Sequence, residues 1–112
     1  MTDCLFCSIV AGDIPADIVL QTPDFVAFRD INPQAPTHIL VVPTEHHRDI
    51  AEMGSANPVL AGELLALTQR IAKDEGLTDF RLVFNTGAEA GQSVFHVHGH
   101  VLGGRDLKWP PG

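Results

Sequence analysis

The stretch Gln92–Gly104 reads QSVFHVHGHVLGG, with histidines at the alternate positions 96, 98 and 100. Valine, leucine and phenylalanine occupy most positions around them, and this period of two is typical of a β-strand. Alternate side chains of a strand leave the same face, about 6.6–6.8 Å apart, so His96, His98 and His100 are predicted to share one surface. The opposite face would then carry apolar side chains, those of Phe95, Val97 and Val101.

Three imidazoles on one strand face are unexpected for a surface that is merely solvated, which ordinarily uses Thr, Lys, Glu or Ser. An imidazole exchanges a proton near neutral pH, and it is also a common metal ligand. The pattern therefore predicts either a catalytic site that moves protons or a metal site.

The composition predicts one domain over residues 1–112, with residues 105–112 as a C-terminal arm. Hydrophobic residues make up 45% of the chain, enough for a core, and the formal net charge of −7 argues against a nucleic-acid partner. The first residues lack the basic start of a signal peptide, and no apolar run approaches the roughly 20 residues that cross a bilayer. We therefore expect a soluble, cytoplasmic protein with no membrane partner and with reduced cysteines.

Two helices are predicted from local signals. Residues 4–11 place their apolar side chains on a common side and can form a short helix. The pair Asn57-Pro58 is a favourable helix start, and an apolar stripe at helical spacing extends this long helix to about Glu75. Residues 44–55, between the two, are polar and are expected to be irregular.

Five strands are predicted, at residues 18–21, 25–29, 38–42, 80–84 and the histidine stretch. Their mostly short connections indicate an α+β fold, an antiparallel five-stranded sheet with one long and one short helix. Repeated βαβ units and the glycine-rich phosphate-binding motifs are missing from the sequence. The loop at residues 30–36 contains two prolines and is a candidate rim for a pocket.

Four segments, QAPTHILVVP, VFNTG, AGQSVFHVHGHVLGGR and WPPG, occur in this order along the chain. The histidine stretch resembles the signature of the histidine-triad (HIT) superfamily, His-φ-His-φ-His-φ-φ with φ apolar. The surrounding segments resemble its HINT branch, the histidine-triad nucleotide-binding proteins, over nearly the whole chain. One position departs from the pattern, Gly99, because glycine inside a strand costs stability or marks a bulge.

The resemblance implies a single HIT-like domain that is a purine nucleoside phosphoramidase or nucleotidyl hydrolase. Such enzymes cleave the P–N bond of nucleoside 5′-phosphoramidates, such as AMP-lysine or AMP-NH2, through a covalent nucleotide on the middle histidine, here His98. The resemblance also implies a homodimer that binds a purine nucleotide or nucleoside phosphoramidate. No cofactor is required for this catalysis.

The residues suit this chemistry. A neutral imidazole attacks with one ring nitrogen while an acceptor, for which the His96 carbonyl is the candidate, holds the proton on the other. Charge on the phosphoryl oxygens needs donors, and His100 and the backbone N–H groups of residues 91–93 are candidates. We expect repulsion between the imidazoles to lower their pKa values and to keep His98 neutral at pH 7.

The resemblance assigns further roles to residues that have simpler interpretations. It makes Ser93 the proton donor to the leaving amine, where a strand cap is the alternative, and His38 a support for the triad, where a core histidine is the alternative. Asp30 matches a ribose-binding residue but could cap a turn. Asn85 matches a contact near the phosphate and ribose. The remaining candidates are Phe6, Ile9, Phe28 and Ile31 at the base, Gly91 and Gln92 at the phosphate, and Trp109, expected to cross to the partner's site.

The pair Cys4-x-x-Cys7 provides a separate indication of metal. As a zinc half-site it needs two more ligands, for which His46 or His47 and His96 are available. The resemblance selects His46 and His96 and leaves His47 as a solvated neighbour. Structural zinc and a pair of buried thiols are both compatible with the sequence.

Three other functions stay open. The first is a dinucleoside polyphosphate hydrolase of the Fhit type, against which GGR and WPPG argue. The second is a nucleotide-binding regulatory protein in which turnover is incidental. The third is a triad that serves only as a metal site, in which case His98→Ala would abolish metal binding together with activity.

Overall fold

The computed structural model of the protein describes residues 4–112, so residues 1–3 of the predicted domain lie outside the described residues. Three helices and five strands follow one another along the chain: α1 (Leu5–Val10), β1 (Ile18–Gln21), β2 (Phe25–Arg29), β3 (Thr37–Pro43), α2 (Ile50–Ala56), α3 (Pro58–Asp74), β4 (Phe80–Val83) and β5 (Gly99–Gly103). A short 3-10 turn, Ala88–Ala90, lies between β4 and β5. The predicted α+β class is confirmed.

The five strands form one antiparallel sheet in the order β1-β2-β3-β5-β4. β3 is central and buried, as its apolar sequence predicts. Ile39 and Val41 of β3 pack into a core with Leu64 of α3. Leu40 and Val42 pack into a second core with α1 and β2. Because alternate strand residues take opposite faces, the sheet separates a purely structural side from the side that carries the triad.

The long helix α3 begins and ends where the sequence predicts. The Asn57 side chain accepts a hydrogen bond from the Leu60 N–H at 3.1 Å, and Pro58 fills the first helical position. These two residues satisfy or remove backbone donors that would otherwise be unpaired at a helix start. Gly76 follows the helix with a φ of +74°, the left-handed conformation that favours glycine after a helix.

Helix α2 corrects the prediction that residues 44–55 are irregular. The Asp49 carboxylate accepts from the Glu52 N–H at 2.9 Å, and the Glu52 carboxylate accepts from the Arg48 N–H at 3.0 Å. These two hydrogen bonds cap the start of the helix, and the complete burial of Met53 holds it against the core. The spacing of Asp49 and Glu52 was the sequence signal for this short helix.

The histidine stretch is a strand only from Gly99 onward, which corrects the prediction of one continuous strand. His96 and His98 precede β5 in a segment outside the sheet, where the Val97 N–H donates to the His47 carbonyl at 2.9 Å instead of to a ladder partner. Phe95 was predicted on the buried face but is 44% exposed, whereas Val97 and Val101 are buried as predicted. Regular strand structure thus begins only after His98, the middle histidine of the triad.

Gly99 lies opposite Val41 in the sheet. A larger neighbour occupies the space that a side chain at position 99 would need. A Cβ atom at this position would lie 2.9 Å from Cζ of Phe84 and 3.3 Å from Cδ1 of Leu82. Ordinary Cβ contacts are longer, so the Phe84 ring would have to move to make room for a side chain here. The glycine between two triad histidines is therefore matched to a large aromatic residue directly after the neighbouring strand β4.

We expect Gly99→Ala to lower the free energy of unfolding by about 1–3 kcal/mol, because crowding against Phe84 outweighs the gain of about 0.5–1 kcal/mol that alanine usually brings inside a strand. Urea unfolding of Gly99→Ala, with Phe84→Leu as a background that frees space, measures both effects. The cost should shrink in the Phe84→Leu background. A Gly99→Ala protein at least as stable as the parent would contradict the match.

None of the helices within residues 4–112 has the length and apolar character needed to cross a membrane.

Candidate active site

An apolar pocket of about 290 Å³ opens on the face of the sheet that carries α1. Eight predicted site residues line it: Phe6, Ile9, Phe28, Asp30, Ile31, Ser93, His98 and His100. Sequence reasoning missed other lining residues: Leu5, Ile14, Pro15, Ala16, Arg29, Leu40 and Val94. Leu40 could have been found, because it alternates with His38 along β3 and so shares its face.

Helix α1 supplies one wall of the pocket. Its residue Phe6 is 5% exposed and packs edge-on against Phe28, with ring centroids 5.6 Å apart, and against His98 at 4.9 Å. Ile31 is fully exposed on the opposite rim. An aromatic ring between an apolar slot and a histidine suits a planar ligand, since rings favour such offset contacts.

His98 is held in one tautomer. Its Nδ1 lies 2.8 Å from the carbonyl oxygen of His96, as the sequence analysis expected. A carbonyl oxygen only accepts, so Nδ1 carries the proton and Nε2 keeps its lone pair. Within residues 4–112, Nε2 makes no hydrogen bond. His98 therefore presents an unprotonated ring nitrogen while its side chain lines the pocket.

His100 is also held in one tautomer, through His38. The Gln34 N–H donates to Nδ1 of His38 at 3.0 Å, so the proton of His38 is on Nε2. That nitrogen lies 2.9 Å from Nδ1 of His100 and donates to it, which leaves the proton of His100 on Nε2. In the described part of the chain, His100 Nε2 is the buried side-chain polar atom that lacks a partner.

An unpaired buried N–H costs about 1–3 kcal/mol, so its retention beside a pocket indicates a ligand atom that accepts from it. The donor of His100 and the lone pair of His98 belong to neighbouring rings, whose centroids are 5.0 Å apart. Together the two rings offer a nitrogen lone pair on His98, which can attack an electrophile, and an N–H on His100, which can donate to an anion.

The triad histidines are neutral near pH 7. Burial lowers the pKa of His98, and the hydrogen bond to the His96 carbonyl and the nearby Asp30 charge oppose it only in part. Burial, with added repulsion from His98 and His38, lowers the pKa of His100 to about 4. Burial likewise lowers the pKa of His38 against the opposing charge of Asp30. The expected direction is confirmed, but burial rather than mutual repulsion is the larger cause.

Asp30 lies between the pocket and the hydrogen-bonded histidines His38 and His100. One carboxylate oxygen accepts from the Asn32 N–H at 2.8 Å, which is the turn-capping role. The other lies 3.5 Å from Nε2 of His38. The carboxylate also lines the pocket, so capping a turn does not prevent it from facing a ligand.

The loop at residues 91–93 offers fewer donors than the sequence suggested. The N–H of Gly91 donates to the Ala88 carbonyl at 3.0 Å, and that of Gln92 to the Gly87 carbonyl at 3.1 Å. The Gln92 side chain is 3% exposed and bonds three backbone groups of the surrounding segments. Its amide thus braces the loop and is not available to a phosphate. In the described chain, only the Ser93 N–H of these three has no protein acceptor.

Two predicted ligand contacts lie away from the pocket wall. Asn85 is beside Gly91, where an added Cβ would be 3.7 Å from its Nδ2. Trp109 is 81% exposed on the C-terminal arm, and the arm is held by Arg81, whose Nη2 donates to the Lys108 carbonyl at 3.0 Å. A contact of Trp109 with a partner's site stays a prediction.

The predicted zinc ligands Cys4, Cys7, His46 and His96 do converge. Nδ1 of His96 lies 3.3 Å from Sγ of Cys4, 3.4 Å from Sγ of Cys7 and 3.1 Å from Nδ1 of His46. Ligand atoms around a tetrahedral zinc ion are separated by about 3.3–3.8 Å, given the usual bond lengths. The spacing of this cluster is therefore close to that of a Cys2His2 site.

The tautomer of His96 supports metal binding at this cluster. Its Nε2 donates to the Pro43 carbonyl at 2.8 Å, so Nδ1 presents a lone pair towards the thiols and towards His46. Two imidazole nitrogens 3.1 Å apart, with one of them unprotonated, suit a shared ion as well as a shared proton. A second cluster, Asp30, His38 and His100, has comparable spacing, but there the Gln34 N–H already occupies the second nitrogen of His38. Nε2 of His38 therefore carries a proton, which it donates to His100, and has no lone pair for a metal.

His47 differs from its expected role as a solvated neighbour. It is 8% exposed, its Nε2 is hydrogen-bonded to the Glu45 carboxylate, and its backbone carbonyl holds Val97. It lies next to His46 in sequence, but the cluster of potential metal ligands contains His46 and not His47.

These features define an α+β domain whose pocket is lined by an imidazole with an unprotonated nitrogen and by an imidazole with an unpaired N–H. The chain belongs to the HIT domain family, whose model matches residues 11–107. A HIT-like protein of Synechococcus elongatus is 48% identical over 111 residues, covering 98% of this chain and 97% of that protein. The 14 kDa zinc-binding protein of Zea mays is 43% identical over 111 residues, covering 96% and 87%.

A solved structure shows the same fold. The HIT family hydrolase of Legionella pneumophila superposes with a TM-score of 0.94 at 45% identity, covering 98% of this chain and all of that one. The fold of this chain is therefore that of a HIT family hydrolase.

Proposed function

We propose that the protein is a purine nucleoside phosphoramidase of the HINT type, which hydrolyses the P–N bond of nucleoside 5′-phosphoramidates. The single observation that carries this proposal is the pairing of an unprotonated His98 Nε2 with the unpaired N–H of His100 Nε2 at one pocket. A phosphoryl group needs both a nucleophile and a donor to its charged oxygens.

The reaction proceeds in two balanced steps. Nε2 of His98 attacks phosphorus, the P–N bond to the amine breaks, and the amine leaves after gaining a proton, for which Ser93 on the pocket wall is the candidate donor. Water then attacks the same phosphorus, the bond to His98 breaks, and the nucleoside monophosphate leaves with the imidazole restored. The proton that the attacking water gives up returns to Ser93, which replaces the one donated to the amine. During both steps, His100 Nε2–H stabilises the negative oxygens.

The pocket supports a nucleoside as the ligand. Phe6, Ile9, Phe28 and Ile31 provide apolar contacts for a base, and the Asp30 carboxylate can accept from ribose hydroxyls. The pocket is a short distance from the two reacting imidazoles because His98 is itself part of its wall. A purine fills such an aromatic slot better than a pyrimidine because it has the larger ring system.

Two further expectations belong to this proposal. Trp109 at 81% exposure, together with Val59 and Leu65 on α3, gives the surface large apolar side chains that a homodimer would cover. A zinc ion at Cys4, Cys7, His46 and His96 would act structurally, since none of these atoms faces the pocket.

Incubating the protein with adenosine phosphoramidate, quenching it with acid-free denaturant and digesting it should give a peptide carrying AMP on His98, identified by mass spectrometry. Comparing turnover of adenosine phosphoramidate with that of a dinucleoside polyphosphate separates the proposal from the Fhit-type alternative. Adduct on another residue, or preference for the polyphosphate, would count against it. Tight nucleotide binding with no adduct and no product would indicate the regulatory alternative.

A further inference from the structure

The segment GGR that follows the triad makes an unexpected contact with the loop at residues 30–36. Gly104 has a φ of +91°, and a Cβ there would lie 2.9 Å from Cβ of Pro36. Both the backbone conformation and the lack of space require glycine at this position. The chain after β5 can therefore pass directly over the loop, which places Arg105 beside it.

Arg105 clamps one backbone carbonyl of that loop. Its Nε and Nη2 both donate to the Gln34 carbonyl, at 3.1 Å and 2.9 Å, and its Nη1 donates to the Asp106 carbonyl at 2.8 Å. Two N–H groups of one guanidinium that converge on the same carbonyl oxygen restrain the position of that oxygen. The Gln34 side chain adds a bond to the Asn32 carbonyl at 3.0 Å.

The clamped residue is the same one that sets the tautomer of His38. The Gln34 N–H donates to Nδ1 of His38 at 3.0 Å, and only two backbone dihedral angles separate this N–H from the carbonyl that Arg105 holds. Hydrogen bonds thus run from Arg105 through Gln34 and His38 to His100, where they leave the unpaired proton on Nε2.

We propose that Arg105 is a positioning residue which, through Gln34, keeps the protons of His38 and His100 on their Nε2 atoms. If Gln34 moves away, Nδ1 of His38 is free to take the proton and Nε2 of His38 can accept from His100. The proton of His100 then moves to Nδ1, and the pocket loses its donor. The consequence for catalysis, but not the tautomer effect, rests on the proposed function.

Asp30 acts on the same tautomer of His38 in the same direction. Its carboxylate oxygen, 3.5 Å from Nε2 of His38, favours a proton on that nitrogen without help from Gln34. The hydrogen bond from Gln34 is shorter and acts directly on Nδ1, so we expect it to dominate.

The test is the tautomeric state of both histidines in the full chain, measured without substrate by long-range ¹H–¹⁵N spectra of the imidazoles at pH 7. In Arg105→Ala, the nitrogens of His38 and His100 should move from the pattern of a single tautomer towards mixed values. Arg105→Lys, which keeps one donor, should shift them less. Turnover of adenosine phosphoramidate should fall about tenfold, the effect expected for one lost hydrogen bond.

Arg81→Ala is the matched control. Arg81 also donates to backbone carbonyls, those of Leu107 and Lys108, but none of them belongs to residues 30–36. The histidine nitrogens should keep their parental shifts in this variant. Unchanged nitrogens in Arg105→Ala, or equal shifts in both variants, would overturn the inference, and Arg105→Lys decides it if Arg105→Ala fails to fold. Because the spectra need no turnover, absence of phosphoramidase activity would refute the proposed function alone.

Discussion

His98→Gln should lower kcat for adenosine phosphoramidate by roughly 10⁴-fold or more, since a removed nucleophile typically costs an enzyme that much. The reason is chemical. Glutamine has no ring nitrogen that can form the covalent nucleotide, and its amide cannot take the role of the unprotonated Nε2. Apolar contacts from Phe6 and Phe28 to the nucleoside remain, so the Kd for AMP should change less than about tenfold.

Steady-state kinetics and AMP titration by calorimetry measure the two quantities separately. His47→Gln is the control, because His47 is a buried histidine bonded to Glu45 outside the pocket, and its variant should keep kcat close to that of the parent. The proposal fails if His98→Gln retains turnover. It is also contradicted if AMP binding and metal content disappear together with activity, the result expected of a triad that only binds metal.

Removing the metal, or one thiol by Cys4→Ser, should lower the melting temperature by roughly 15 °C. A ligand present at 1,000 times its Kd stabilises the folded state by about 4 kcal/mol, and each kcal/mol corresponds to about 4 °C for a domain of this size. The cluster joins α1, the segment after β3 and the triad segment, so a bound ion would cross-link three parts of the chain that are far apart in sequence.

The measurement combines zinc analysis of protein purified without chelator with calorimetric melting before and after chelation. One zinc ion per chain is expected in the parent and in His47→Gln, whereas Cys4→Ser should contain much less. A parent that holds no metal, and melts at the same temperature as Cys4→Ser, would show instead that the cluster is a hydrogen-bonded group of thiols and imidazoles.

A link between the metal cluster and the reacting imidazole follows from His96. Its side chain belongs to the cluster while its backbone carbonyl accepts from Nδ1 of His98 at 2.8 Å. Restraining the ring of His96 also restrains the peptide that fixes the tautomer of His98. Helix α1 is tied in the same way, because Cys4 and Cys7 flank Phe6 of the pocket wall.

Local patterns were enough to predict α3, the central strand β3 and the five-stranded sheet. Each of these elements is indicated by the spacing of its apolar residues or by a capping pair within a few residues, such as Asn57 and Pro58 at the start of α3. Helix α2 was missed because a seven-residue helix has too little periodicity, although its cap was visible in Asp49 and Glu52. That regular strand structure begins only at Gly99 was missed because a period of two also occurs where no neighbouring strand pairs.

The sequence by itself determined which side chains can do chemistry here: alternating histidines, a paired-cysteine segment and an aspartate after β2. The sequence already suggested the His96 carbonyl as the partner of His98. Only the tertiary structure decided which nitrogen of His96 and of His100 carries a proton, because their partners are far away in sequence. His38 and His100 are 62 positions apart, and Arg105 and Gln34 are 71 apart. An imidazole has the same composition in either tautomer, so its role as nucleophile, donor or ligand is set by the acceptor or donor that folding places beside it.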